Sequence, residues 1–499
     1  MRTARFAPHA RPTRGLSVLS VILLACGEPP PAPDPLPPTE AGVVSVAIDA
    51  RDLRLLEGTT GALIVVARDS AGRVVEPVEV EWSAYPPDIV TVSPQGIVQG
   101  RGLGTGLVAA NVGAASDTVP VDVRVRVAAV SAGAAHTCGI TTEGSMYCWG
   151  GNREGRLGTG SRDPVTTPTR AASYAAFTQV SAGWELTCGL SGRGPACWGS
   201  NRSGQLGSAD KADALQPVPL ADDPSLIVIA TLTTHSCGIS ARGHEAWCWG
   251  AGWAGQRGVG TSDGARPEPV SGALRFRALD VGWLFTCGVT TDGQAYCWGT
   301  NHWLQLGRAD TLAMCDWPNG PARPCATEPA AVAATQVFDT IAVGTSHACA
   351  LASGGTAYCW GRNDAGQLGT GATEGVALPQ AVAASVAFTM VSAGDRHTCA
   401  LDADGGAWCW GDNTSGALGT GVVGETCGDA PCARAPVVVA TTLRFRSISA
   451  SRGEGGVHTC GIATDGFAYC WGSNERGQLG TGEIDAGGPV PRKVAGQFE

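Results

Sequence analysis

The chain has 499 residues, with 71 glycines, 31 prolines, 19 cysteines, 16% charged residues and a formal charge of −10. That length exceeds one ordinary hydrophobic core, so several domains or a repeat array are expected. The acidity is a poor basis for charge-driven binding to nucleic acid or anionic lipid. The glycine content favours short strands and turns over long helices.

The first 14 residues are basic, with Arg2, Arg5, Arg11 and Arg14. Residues 15–25, GLSVLSVILLA, form an apolar run too short to span a bilayer comfortably but right for a signal-peptide core. It ends in Leu23-Leu24-Ala25-Cys26, which resembles a bacterial lipobox, Leu24 being a less usual residue for its place. The resemblance implies a signal peptide over 1–25 and a lipidated Cys26 that anchors the chain without a spanning helix. An ordinary secretory signal followed by a chance cysteine is the alternative. No other segment has 18 uninterrupted apolar residues, so no transmembrane helix is expected. Residues 26–40 follow as a stalk; seven prolines within 27–40 favour extended polyproline II geometry over a packed core.

Residues 41–126 read as a small all-β domain. VVSVAID, ALIVVAR, VEVEW, IVTVS, GLVAANV and VPVDVRV alternate or run apolar, separated by turns such as DSAGR and SPQG. The EGTTGAL entry, the VEW strand, IVTVSPQGIVQGRGLGTGLVAA and the closing Val-x-Val-x-Val resemble the bacterial immunoglobulin-like family. The resemblance implies a β-sandwich spacer or adhesive module without an active site.

Residues 127–499 are repetitive. Cysteine pairs stand at 138/148, 188/197, 237/248, 287/297, 349/359, 399/409 and 460/470, and Trp-Gly follows each second cysteine. First cysteines are 50, 49, 50, 62, 50 and 61 residues apart, a propeller or solenoid period. The shared pattern is SAG-x-x-H-T-C-G-I, a glycine-containing turn, Y-C-W-G-x-N-x-x-G-Q-L-G-T-G, then P-x-x-V. It resembles the regulator of chromosome condensation repeat family, which implies a seven-bladed β-propeller. The predicted fold class is thus all-β, a propeller preceded by an immunoglobulin-like sandwich. A phenylalanine precedes most Val-Ser-Ala-Gly strands, the chain stops at Gln497-Phe498-Glu499, and Val130 to Gly133 stand at the start. The two ends are therefore expected to complete one shared blade.

In HTCGITTEGSMYCWG, a three-residue loop with Gly144 in the left-handed position pairs Thr141 with Ser145. Counting outward sets Cys138 opposite Cys148, at a separation a disulfide can bridge. The same reading pairs Cys188 with Cys197, Cys237 with Cys248, Cys287 with Cys297, Cys349 with Cys359, Cys399 with Cys409 and Cys460 with Cys470. Cys315/Cys325 and Cys427/Cys432 sit inside the extra residues of the two long units and are expected to tie off inserted loops. Nine bridges and Cys26 account for all 19 cysteines, and stapled blades fit an oxidising compartment. Metal binding is not predicted, because Cys-x4-Cys and Cys-x9-Cys lack companion histidines at ligand spacing.

His136, His235, His347, His397 and His458 recur before the first cysteine. A residue repeated once per blade reads as a structural hydrogen-bonding group, and Leu186 and Phe285 break the series. No nucleophile–base constellation or cofactor motif is found, so no enzyme activity and no cofactor are expected. Five tryptophans break the repeat pattern: Trp184, Trp253, Trp283, Trp303 and Trp317. With Phe285 they fall in loops that emerge on one face, opposite the Thr-Glu-Gly hairpins, and are the candidate partner-binding residues.

The resulting expectation is an exported, lipid-anchored bacterial envelope or surface protein whose propeller binds a protein partner. The repeat family contains a secreted inhibitor of β-lactamases, so inhibition of an envelope enzyme is a sharper form. Glycan binding is the second reading, since tryptophans also stack on sugar rings. Guanine-nucleotide exchange, the activity of the family's eukaryotic founder, is a third, opposed by the export signal, disulfides and acidic charge.

Overall fold

In the computed structural model the described residues are 42–497, apart from 77, 173, 209, 311, 318–319, 423 and 454–456. The expected signal peptide, stalk and Cys26 lie outside them. Every named element is a strand, and no helix among the described residues is long and apolar enough to cross a membrane.

Residues 42–124 form three small sheets. Leu53–Leu56, Ala115–Arg124, Gly104–Val112 and Glu81–Tyr85 lie side by side in that order, the first two parallel. Thr60–Ala62, Ile97–Gly100 and Val90–Val92 make a second sheet, and Ser45–Ile48 pairs with Val65–Arg68. Alternation along Gly104–Val112 and Ala115–Arg124 turns Val108, Ala110, Val119, Val121 and Val123 inward, against Ile48, Leu55, Val90 and Val98.

From Val127 onward the chain builds seven antiparallel sheets from consecutive strands. The first holds Val127–Ala132, His136–Thr141, Met146–Gly150 and Val165–Arg170. The next six begin at Phe177, Leu226, Phe276, Phe338, Phe388 and Phe445, and the fourth and sixth gain a fifth strand from their insertions. Each sheet packs on the next, and the seventh on the first. Because strands alternate in direction, the loop after the inner strand and the loop after Trp-Gly share one face, the loop face. The hairpin tips occupy the opposite face.

Each blade contains all four of its own strands, so the expected shared blade is corrected. Val127–Ala132 already supplies the first blade's inner strand, with Val127 where the other units place phenylalanine or leucine. The last blade ends with Asp485–Lys493, and Gly496 only accepts a bond from Val125 N, at 3.3 Å. What joins the termini is seam chemistry. Thr137 Oγ1 lies 2.9 Å from His458 Nε2, and Thr137 Oγ1 and Trp149 Nε1 both donate to Gln478 O at 2.9 Å.

That arrangement recurs. His136 meets Thr187 of the next blade at 2.8 Å, His235 meets Thr286 at 2.9 Å, His347 meets Thr398 at 2.8 Å and His397 meets Thr459 at 2.9 Å. Each threonine donates its hydroxyl proton to a carbonyl of the preceding blade: Arg156, Gln256, Gln367 or Ala417. The imidazole must then be the donor, with its proton on Nε2. Where Leu186 replaces histidine the following residue is Ser236, and where Phe285 does so it is Ala348. Ser236 still donates to Gln205 O at 2.9 Å and meets Thr231 Oγ1 at 2.7 Å in place of an imidazole, while at Ala348 no hydroxyl remains to be stranded.

Cys138 stands opposite Cys148 with Cα atoms 4.1 Å apart, and the six other repeat pairs are bonded in the same way. Cys315–Cys325 and Cys427–Cys432 close the insertions, with Cα atoms 5.8 and 5.7 Å apart.

The first unit runs into the propeller without a linker. Val125 and Val127 are buried in one cluster with Tyr147, Trp149 and Val494. Glu57, almost wholly buried, accepts bonds from Thr141 Oγ1 at 2.9 Å and Ser145 Oγ at 2.8 Å. Arg170 donates to Arg101 O at 2.9 Å, and Leu103 N donates to the Tyr147 hydroxyl at 2.9 Å. Burial, with Glu57 nearby, pushes the Tyr147 pKa up to about 12. The unit is therefore seated on the hairpin face of the first blade. Glu57→Ala removes the acceptor of the buried Thr141 hydroxyl and of the half-buried Ser145 hydroxyl and should cost about 1–3 kcal/mol. The check is proteolysis: faster cleavage near residues 124–127 is expected, while the isolated propeller fragment persists.

The buried histidines set a pH dependence. Burial holds His235 and His347 at about 3, His397 at about 4 and His136 well below its ordinary value. Protonation would also create an Nδ1–H with no acceptor among the described residues. In the unfolded chain each histidine titrates at about 6.5. Their stabilisation is thus full above that pH and lost as pH falls through 6.5 toward the folded values, by up to about 1.4 kcal/mol per pH unit per histidine. Denaturant titrations between pH 7 and 5 should show this slope. His347→Phe with Thr398→Ala should remove one histidine's share and cost less than the sum of the two single changes.

Candidate functional site: the loop face

The loop face takes its character from departures from the repeat. After the third Trp-Gly, Gly252 stands where other units have asparagine, Trp253 follows, and Arg257 replaces the usual buried leucine. In the first blade Asn152 Nδ2 donates to Ser161 O and Asp163 O, at 3.0 and 2.9 Å. In the third, fully buried Arg257 reaches the loop instead. Its NH1 donates to Ser262 O at 2.7 Å, and its NH2 pairs with Glu268 at 2.6 Å. The loop bearing Trp253 keeps its shape through a different side chain.

The insertion in the fourth unit forms a hairpin, Ala313–Trp317 against Gly320–Ala331, tied by Cys315–Cys325. Trp317 lies 4.9 Å, centroid to centroid, from Trp253 of the third blade and 5.9 Å from Trp283 of the fourth, edge-on to both. The Arg323 guanidinium sits 3.9 Å from the Trp317 ring centroid. Such aromatic and cation–π pairs contribute about 0.5–1.5 kcal/mol each. All three rings are half-buried, so they pin the hairpin and leave Met314 and Asp316 exposed on it.

The other expected residues separate. Trp303, 37% exposed, lies 4.8 Å from His302, with Arg362 of the fifth blade 4.7 Å from its ring. Trp184 is half-buried beside Ala134; a Cβ added at Gly453 would lie 3.3 Å from both. Phe285 must be removed from the candidate surface. It is fully buried with Leu306, Phe338 and Trp360, because it occupies the seam position that histidine takes elsewhere.

Sequence reasoning missed the charged half of this face. Arg362 NH2 pairs with Asp364 at 2.7 Å, Arg396 pairs with the same carboxylate at 3.1 Å, and Arg396 Nε reaches Asp412 at 3.3 Å. Burial works against the Asp364 charge, but Arg362 and Arg396 outweigh it and hold its pKa below the usual value. The signal available was the run of charged residues just after Gly361 and Gly411 and before His397, loop positions in neighbouring repeats. Aromatic rings thus cover the third and fourth blades, and an arginine–aspartate row continues over the fifth and sixth.

These blades and seams define a β-propeller built from a repeated four-stranded unit. A profile of the Regulator of chromosome condensation (RCC1) repeat matches residues 143–190, 354–401 and 465–498. A second profile of that repeat matches 127–156, 276–302, 338–367, 389–417 and 445–478, so the chain carries RCC1 repeats. It is 29% identical over 260 residues to the Ultraviolet-B receptor UVR8 of Arabidopsis thaliana, covering 50% of this chain and 44% of that protein. It is 28% identical over 264 residues to the E3 ubiquitin-protein ligase HERC2 of Homo sapiens, covering 51% of this chain and 5% of the relative. The match therefore spans less than half the length of these curated relatives.

Among solved structures, Prp20p from Saccharomyces cerevisiae, described with its binding properties to Gsp1p and histones, superposes with a TM-score of 0.60. Identity is 20%, over 74% of this chain and 87% of that one. Human WBSCR16 gives 0.60 at 18% identity, over 70% and 94%. At such identities the likeness is one of fold.

Two substitutions separate core from surface. Phe285→Ala should cost about 3–5 kcal/mol, and Trp303→Ala about 1 kcal/mol or less, both read from denaturant midpoints. Trp317→Ala should reduce the near-UV circular dichroism of the cluster, whereas Trp303→Ala should leave it nearly unchanged.

Proposed function

We propose that this chain is a binding or regulatory propeller, not a catalyst, and that it engages a protein partner through its loop face. One observation supports this above the rest: an aromatic cluster with a disulfide-tied hairpin adjoins a row of arginine–aspartate pairs. Aromatic anchors beside a polar, arginine-rich margin are the composition of a protein-binding hot spot. The docked N-terminal unit covers part of the opposite face and leaves the loop face open.

In this reading residues 41–126 are an immunoglobulin-like spacer, and Cys26 carries the lipid that ties the chain to the bacterial envelope or surface. The lipobox-like sequence, the proline-rich stalk and the nine disulfides support it. Inhibition of an envelope or secreted enzyme is the sharper form of the proposal.

Two experiments test it. The full precursor, expressed in a bacterium with an alkyne-fatty-acid label, should become labelled and sediment with membranes. Cys26→Ala should abolish both; label that survives the change would refute the anchor. Crosslinking to envelope proteins, with identification and re-assay of each purified hit, should yield a partner whose affinity falls at least about tenfold with Trp303→Ala or Arg362→Ala. Hits indifferent to both changes, or binding only to a glycan panel, would overturn the protein-binding reading.

A further inference from the structure

The seam between the fourth and fifth blades lacks two of the repeat's own hydrogen bonds. Phe285 and Ala348 remove both the imidazole–hydroxyl bond and the hydroxyl–carbonyl bond. Of the recurrent seam contacts, Trp360 Nε1 to Gln305 O at 2.9 Å remains.

Next to the axis a second set of contacts links neighbouring blades. Ser131, Ser181, Ser392 and Ser449 accept the backbone N–H groups of Ala182, Thr231, Ala450 and Ala132, at 2.9 to 3.1 Å. In the fourth blade this position is Asp280. One carboxylate oxygen accepts Val343 N of the fifth blade at 2.9 Å, and the other accepts Val281 N at 2.9 Å.

Arg452 reaches this carboxylate from the seventh blade, across the axis. Its NH1 lies 2.6 Å from Asp280 Oδ1, 3.2 Å from Val281 O and 3.3 Å from Val343 O, and so touches both sides of the depleted seam. The loop that presents it is longer than its counterparts: seven residues, 451–457, stand between Ala450 and His458, where three, 133–135, stand between Ala132 and His136. Gly453 N donates to Thr345 Oγ1 at 3.1 Å, and Trp283 N donates to Thr345 O at 3.1 Å. The Trp283 ring in turn packs on Trp317.

We infer that Arg452 and Gly453 form a strap across the propeller axis that clamps the seam between the fourth and fifth blades and, through Thr345, positions Trp283 and the hairpin bearing Trp317. Arg452 is a positioning residue. The inference holds whatever the loop face binds, because it concerns the order of that face in the free protein.

Native-state amide exchange tests it. Arg452→Ala is combined with Asp280→Ser, which leaves no stranded carboxylate and restores the acceptor used at other seams. The amides of Trp283 and Val343 should then exchange at least about tenfold faster, while those of Ala182 and Thr231 stay within about threefold of the parent. Near-UV circular dichroism from the tryptophan cluster should weaken. Adding Phe285→His with Ala348→Thr supplies the missing seam pair, next to Gly282 as His347 lies next to Gly344. Exchange at Trp283 and Val343 should return to within about threefold of the parent. Unchanged rates, equal acceleration at all four amides, or no recovery with the added pair would each overturn the strap.

Discussion

The constraint on which this molecule depends is the satisfaction of polar groups buried between blades. Sheets packed face to face bury side chains on both sides, and each buried donor or acceptor left alone costs about 1–3 kcal/mol. The repeat meets this with one device: an imidazole donates to a hydroxyl of the next blade, which donates to a carbonyl of the imidazole's own blade. At the same seam, a tryptophan indole donates to that carbonyl. These bonds fix the distance and rotation between neighbours, which sheet packing alone leaves loosely specified. The disulfides act within a blade, holding the second and third strands in register, and their buried sulfurs pack against the aromatic rings of the next blade.

Much of this was legible because the repeat supplies its own internal comparison. The opposed cysteines follow from counting outward from Gly144, and the insertions from the two long intervals. The seam pairs were legible in principle, since Leu186 precedes Ser236 and Phe285 precedes Ala348 by one repeat. They were missed because the histidine and the threonine that follows it were taken as one motif, whereas each belongs to a different interface. Phe285 was misplaced for the same reason. A side chain next to a loop looks exposed in sequence, yet this position points into the seam and is filled by whatever packs there.

The ends were misread for another reason. Repeat phase is ambiguous in a sequence, since a unit may be counted from the phenylalanine strand or from the Trp-Gly turn. The phenylalanine pattern suggested an incomplete first unit, but Val127 takes that place in a strand already paired with His136–Thr141. The ring therefore meets at a seam of the ordinary kind. Contacts between distant parts of the chain, such as Glu57 with Thr141 or Arg452 with Asp280, leave no periodic trace, and a single sequence gives no reason to join them.

Repetition and function pull in opposite directions in such a fold. A perfect seven-fold array would present seven equal loops, so an asymmetric face has to be built from departures, and a departure disturbs either its own loop or the seam beside it. Trp253 comes with the loss of an asparagine that Arg257 replaces, and the face bearing Trp283 lies beside the seam where Phe285 has removed a hydrogen bond. Compensation appears at three of the breaks: a guanidinium in place of an amide, a phenylalanine matched by an alanine, a carboxylate bridging two backbone amides. The substitutions that look like drift when each repeat is read alone are paired when the blades are placed side by side. That pairing is what lets one sector of the ring carry tryptophans while the other seams keep the common relay.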